Sequence, residues 1–229
     1  MTTGGIDATH GDPLAYGPVA VGLVLALFGV PMLWPLDLPT RLGTSTAGSM
    51  LVGSLTNWLV VATLLGIVRY WEERPLTSIG FRTPNPRQAG VALAAGLGGV
   101  GLGLLATGLA VVGLNLDRPE TLSVIGRLSL PVKLALVGTA VVTEEVLWRG
   151  YPIERLTELT GRLWVGVGVS GLVFLAVHYP AWGLVGAVPQ AVFTLVLLGV
   201  YVRSRNVVAC MLTHAVINAL MVLVLPAFL

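Results

Sequence analysis

Residues 134–149 read LALVGTAVVTEEVLWR. An apolar run from Leu134 to Val142 leads into two adjacent glutamates, Glu144 and Glu145, with Arg149 one helical turn beyond. Carboxylates in such a run are costly to bury, so they point to function unless something nearby explains them. The surroundings are just as apolar. Hydrophobic residues make up 55% of the 229 positions and charged residues only 10%, a balance that leaves too little polar surface for a water-soluble domain. The solvent of this chain is lipid. Its formal charge of +2 comes from arginines scattered between apolar runs and forms no basic patch, which argues against nucleic acid as a partner.

A membrane helix needs about 20 mostly apolar residues, because each backbone polar group must be satisfied within the segment. Seven stretches meet or nearly meet this: 18–36, 50–70, 88–116, 128–148, 163–182, 184–202 and 207–225. The expected fold class is therefore all-α, a polytopic transmembrane helix bundle of about seven membrane helices. Residues 1–16 form a polar N-terminal segment containing Asp7, His10 and Asp12, with His10 assigned to solvent. That segment has no Lys or Arg, so it lacks the positive region of a secretory leader, and the first helix is expected to be retained. No linker or repeat divides residues 17–229, which read as one transmembrane domain. Gly96, Gly99 and Gly103 on the third helix offer a small-residue face for close helix packing. Asn57 reads as interhelical glue, and Cys210, the single cysteine, as a buried hydrophobe.

Loop arginines set the expected orientation. Arg69, Arg74, Arg82, Arg87, Arg155, Arg162, Arg203 and Arg205 follow the even-numbered helices, against Arg41, Arg118, Arg127 and Lys133 in the alternate loops. Eight against four favours a cytoplasmic first set, and with it a cytoplasmic N-terminus.

His178 and His214 also interrupt apolar runs, and Asn218 follows His214 by one turn. On a helix, residues four apart share a face while neighbours diverge by about 100°. Glu145 can thus pair with Arg149 while Glu144 points elsewhere, free to act as a general base. His214 and Asn218 share a face and can offer two donors to one point, as an oxyanion hole requires. Phe174 and His178 share a face of the fifth helix. Taken singly, each has a bland reading: an interfacial ion pair, a hydrogen-bonded packing histidine, an asparagine joining two helices. It is their combination that points to a site.

The stretches EEVLWR at 144–149, FLAVH at 174–178 and HAVIN at 214–218 resemble, in order, the EExxxR, FxxxH and HxxxN motifs of the CPBP intramembrane glutamic endopeptidases, which include the CAAX prenyl endopeptidases and the prokaryotic Abi-type proteins. The likeness spans residues 128–225, and SIGFRTP at 78–84 is similar to a connector found upstream in that family. The resemblance implies a multi-pass enzyme, here of a prokaryotic plasma membrane, that hydrolyses a peptide bond without a cofactor or metal. Its partners would be the bilayer and a membrane-associated, possibly lipidated, peptide substrate. Carried over by position, Glu144 activates water that His178 helps to hold, His214 and Asn218 stabilise the oxyanion, and Glu145, Arg149 and Phe174 support them. Three other readings compete. Glu144, His178 and His214 could form a zinc hydrolase, although HExxH is absent. The motifs could also persist in a non-catalytic scaffold or bacteriocin-immunity-type protein, or the polar groups could relay protons in a transporter.

One geometric difficulty stands. If the fifth helix starts at Leu163, His178 lies about 22 Å along it, while Glu144 sits near the opposite end of the bilayer. The preferred resolution has the fourth helix continue past Arg149, kinked at Pro152, so that the glutamates lie at mid-depth.

Overall fold

The computed structural model describes residues 16–114 and 120–225. Asp7, His10, Asp12, Arg118 and Pro119 lie outside the described residues. The described chain is helical throughout, and its element order is simple. Helix α1 (Gly17–Leu33) ends in a 3-10 turn and the short α2 (Leu38–Arg41). Helix α3 (Thr46–Gly66) begins where the Ser45 hydroxyl caps Gly48 N–H at 3.2 Å. Asn85 and Gln88 exchange side chain-to-backbone bonds of 2.8 and 3.0 Å, a reciprocal cap that starts α4 (Pro86–Leu114). Then come α5 (Glu120–Gly126), α6 (Leu130–Glu145), α7 (Tyr151–Thr160), α8 (Leu163–Ser204) and α9 (Val207–Asn218). The short helices α2 and α5 were not anticipated from sequence, since neither is long or apolar enough to stand out.

Among the described residues, five helices are long and apolar enough to cross a membrane. The other two expected spans are accounted for by α6 and by α8. Helix α6 has 16 residues and runs directly into a π-turn, Val146–Gly150, which joins it to α7. Helix α8 counts as one element of 42 residues but is broken at Gly183, whose φ of 61° and ψ of −167° are not helical. A straight helix of that length would reach about 63 Å, twice the ~30 Å apolar core of a bilayer. Instead, Gly171 on the first arm meets Thr194 and Leu198 on the second, so the arms fold back on each other. The expected spans 163–182 and 184–202 are these two arms. Only glycine takes that backbone conformation without strain. Gly183→Ala is expected to destabilise the fold by about 1–3 kcal/mol, read as a lower melting temperature in detergent. An unchanged Tm would show that the turn is not glycine-dependent.

The glycine face of α4 packs as its spacing implies. Gly96 abuts Val216 and the Thr213 carbonyl, Gly99 abuts Val196 and Gly103 abuts Phe193, leaving no room for larger side chains at 96 and 103. Thr213 adds a 3.0 Å bond to the Ala92 carbonyl. Large apolar side chains such as Leu109, Val112, Leu172 and Leu195 face outward, as suits a lipid solvent. One buried cluster joins α1, α3 and the start of α7 through Leu64, Val68, Leu147, Trp148 and Tyr151. A second joins α7, α8 and α9 through Ile153, Leu197, Tyr201, Val207 and Cys210.

Candidate active site

The fourth expected span does continue past Arg149, and this places the site. After the π-turn the chain runs on as α7 to Thr160, and Gly161, with φ 67°, turns it into α8. Contacts then ascend like rungs between the antiparallel arms: Gly166 against Ile153, the Ser170 hydroxyl on the Trp148 carbonyl, the Phe174 ring against Trp148 and Arg149. Glu144 lies 17 residues before Gly161 and His178 lies 17 residues after it, so arms of equal length bring them level. Pro152 does not break the run, because it falls in the first turn of α7. Pro152 has no N–H to give to the preceding turn, and the Ser170 hydroxyl donates to the nearby Trp148 carbonyl.

The polar residues separate into a layer facing a cavity and a layer behind it. Glu144, His178, His214 and Asn218 all line one cavity of about 1030 Å³ whose other walls are largely apolar. Glu144 and His178 keep about a fifth of their side-chain surface exposed within it. His178 Nδ1 donates to the Phe174 carbonyl at 2.8 Å, because a carbonyl can only accept. When the ring is neutral its Nε2 is bare, and that nitrogen lies 3.9 Å from Glu144 Oε1. That separation is too long for a hydrogen bond and suits two acceptors that share one water. The Phe174 ring, 4.2 Å from the His178 ring by centroids, fixes its plane.

Behind the cavity, Glu145 and Arg149 are fully buried. The expected pair forms, with Arg149 donating to Glu145 Oε1 at 3.2 Å, but the shorter contact of that oxygen is to His214 Nδ1, at 2.7 Å. Glu145 is thus the orienting partner of His214 as much as the counter-ion of Arg149. The Arg149 guanidinium lies 4.3 Å over the Phe174 ring, so one aromatic side chain backs both Arg149 and His178. Glu145 Oε2 and one Arg149 terminal nitrogen are buried without a hydrogen-bond partner among the described residues. Asn57, expected to join two helices, lines the cavity as well. Its neighbour Trp58 supplies the interhelical bond instead, to Thr139 at 3.0 Å.

Among the described residues, no three His, Cys, Asp or Glu side chains converge as ligands for a metal ion. Sequence reasoning missed a second buried charge cluster, on α7. Arg155 donates to Glu72 at 2.6 Å and to the Ser78 hydroxyl at 2.9 Å, and Tyr151 donates to Glu72 at 2.5 Å. Glu158 links Arg155 to Arg74, while Glu154 accepts from Tyr201 and Arg205. The Gly80 carbonyl accepts from Val207 N–H at 2.8 Å. These bonds tie the 72–85 connector, which contains SIGFRTP, across the ends of α7, α8 and α9. The i, i+4, i+7 stripe of Tyr151, Arg155 and Glu158 was the available signal in the sequence.

Comparison with known protein families matches residues 126–220 to the family described as Rce1-like, type II CAAX prenyl endopeptidase. No curated protein and no solved structure matches the chain. The matched region covers α6 to α9 and holds all seven motif residues.

Proposed function

We propose that the chain, whose residues 126–220 match the Rce1-like type II CAAX prenyl endopeptidase family, hydrolyses a peptide bond using water activated by Glu144, without a metal. The observation that carries this reading is the 3.9 Å gap between Glu144 Oε1 and His178 Nε2 at a cavity wall. Two acceptors at that spacing hold a water by both its protons and turn its lone pair outward, toward a substrate carbonyl. Glu144 takes a proton as the water attacks, and the same proton can then pass to the leaving amine. The negative charge that develops on the carbonyl oxygen falls to His214 and Asn218.

The Glu145 contact refines the part played by His214. Its Nδ1 is bonded to the Glu145 carboxylate, so its Nε2 donates to an oxyanion only when the ring carries both protons.

The direct test compares the membrane peptidomes of cells carrying wild type and Glu144→Ala. A defined set of cleavage products that disappears in the variant identifies both reaction and substrate, whereas identical peptidomes would sink the reading. For Asn218→Ala we expect turnover about 10²- to 10³-fold lower with KM nearly constant, because its bond strengthens only in the transition state. A raised KM with unchanged kcat would assign Asn218 to ground-state binding instead.

A further inference from the structure

The bundle has two unlike faces, and the cavity reaches only one of them. One face gathers the start of α1, the end of α3, the 72–85 connector, α7, both ends of α8 and the start of α9. It is closed by the Glu72–Arg155–Ser78 cluster and by the Gly80–Val207 bond. The other face gathers the end of α1, the start of α3, the end of α4, α5, the Gly183 turn and the end of α9. The cavity runs from Glu144 and His178 to Trp34 and Pro39 beyond α1, to Ile125 on α5 and to Leu225. No residue of the connector, α7 or the outer ends of α8 lines it.

These faces coincide with the two loop sets of the charge count. All eight arginines of the richer set fall on the closed face, whereas Arg41, Arg127 and Lys133, the described members of the poorer set, fall on the open side. Basic residues beside membrane segments are retained on the cytoplasmic side. We propose that the closed face is cytoplasmic and the cavity opens on the extracytoplasmic face. The peptide bond offered to Glu144 then belongs to an exported or membrane-anchored polypeptide that approaches from the outer leaflet, not to a cytosolic lipidated tail. The substrate class rests on the hydrolase reading above, whereas the direction of opening does not.

The chain carries its own control for a labelling test. Cys210 is fully buried, with its thiol against the Leu197 carbonyl, so the native protein should not react. Ser129→Cys places an exposed thiol on the open side and Leu159→Cys one on the closed side. Leu42→Cys and Thr83→Cys form a second pair, should either first variant fail to fold. Intact cells producing the full chain are treated with a membrane-impermeant maleimide, before and after permeabilisation. Ser129→Cys and Leu42→Cys are expected to label in intact cells, and Leu159→Cys and Thr83→Cys only after permeabilisation. Any other pattern, including the reverse or labelling of both faces in intact cells, overturns the proposal. Because labelling needs no turnover, that failure stays distinct from failure of the hydrolase reading, which the Glu144 variants test.

Discussion

Glu144→Gln should lower hydrolysis by about 10²- to 10⁴-fold, the usual span of general-base catalysis, while leaving the fold as stable as wild type. The amide has the size and shape of the carboxylate, so the cavity wall is preserved. It cannot accept a proton from water, and its NH2 can turn toward His178 Nε2 and occupy the acceptor the water would use. Stability should hold because Glu144 makes no hydrogen bond within normal distance among the described residues, with His178 Nε2 3.9 Å away, and because its side chain retains contact with the cavity. Turnover and melting temperature, measured on one purified sample in a detergent that supports wild-type activity, decide the matter. Retained hydrolysis would leave Glu144 without a chemical role, and a large loss of Tm would make it a packing residue.

Glu145→Gln should behave differently although the two residues are adjacent. It removes the one carboxylate that, among the described residues, is paired with Arg149, a side chain that is 1% exposed, and leaves a cation stranded where water cannot reach it. Breaking a buried pair in this way costs about 3–5 kcal/mol, so reduced expression and a lower Tm are expected along with lost activity. The loss of activity has its own cause. The amide oxygen can still accept from His214 Nδ1, but it carries no charge, so the proposed donor to the oxyanion should be weakened. Adding Arg149→Met to Glu145→Gln removes the stranded cation and should recover much of the stability without restoring turnover. Full activity with normal stability for Glu145→Gln would remove it from the site altogether.

Much of this was legible in the sequence because lipid imposes strict rules on it. A segment that crosses a bilayer must be long, apolar and helical, so 18–36, 50–70, 88–116 and the later spans stand out by composition. The same rule makes any polar residue in such a segment conspicuous. It picked out Glu144, His178, His214 and Asn218, which line one cavity, and Glu145, Arg149 and Phe174, which lie behind it. The (i, i+4) spacing was enough to separate Glu144 from Glu145.

Spacing within one helix says nothing about which helices meet, and there the tertiary structure decided. The level pairing of Glu144 with His178 depends on equal arms about Gly161 and on a π-turn that continues past Pro152. Only long-range packing sets those features. The contact of Glu145 with His214 spans 69 residues and has no local signature. The Glu72–Arg155 cluster was missed for a related reason: Glu72 caps a helix end and Arg155 sits in the short, mixed-polarity α7, where a charge is unremarkable by composition, and only the folded connector buries them together. In this protein the sequence determined which groups must avoid lipid. Tertiary structure determined which of them share a water-sized gap, because that depends on helix lengths and turns summed over the whole bundle.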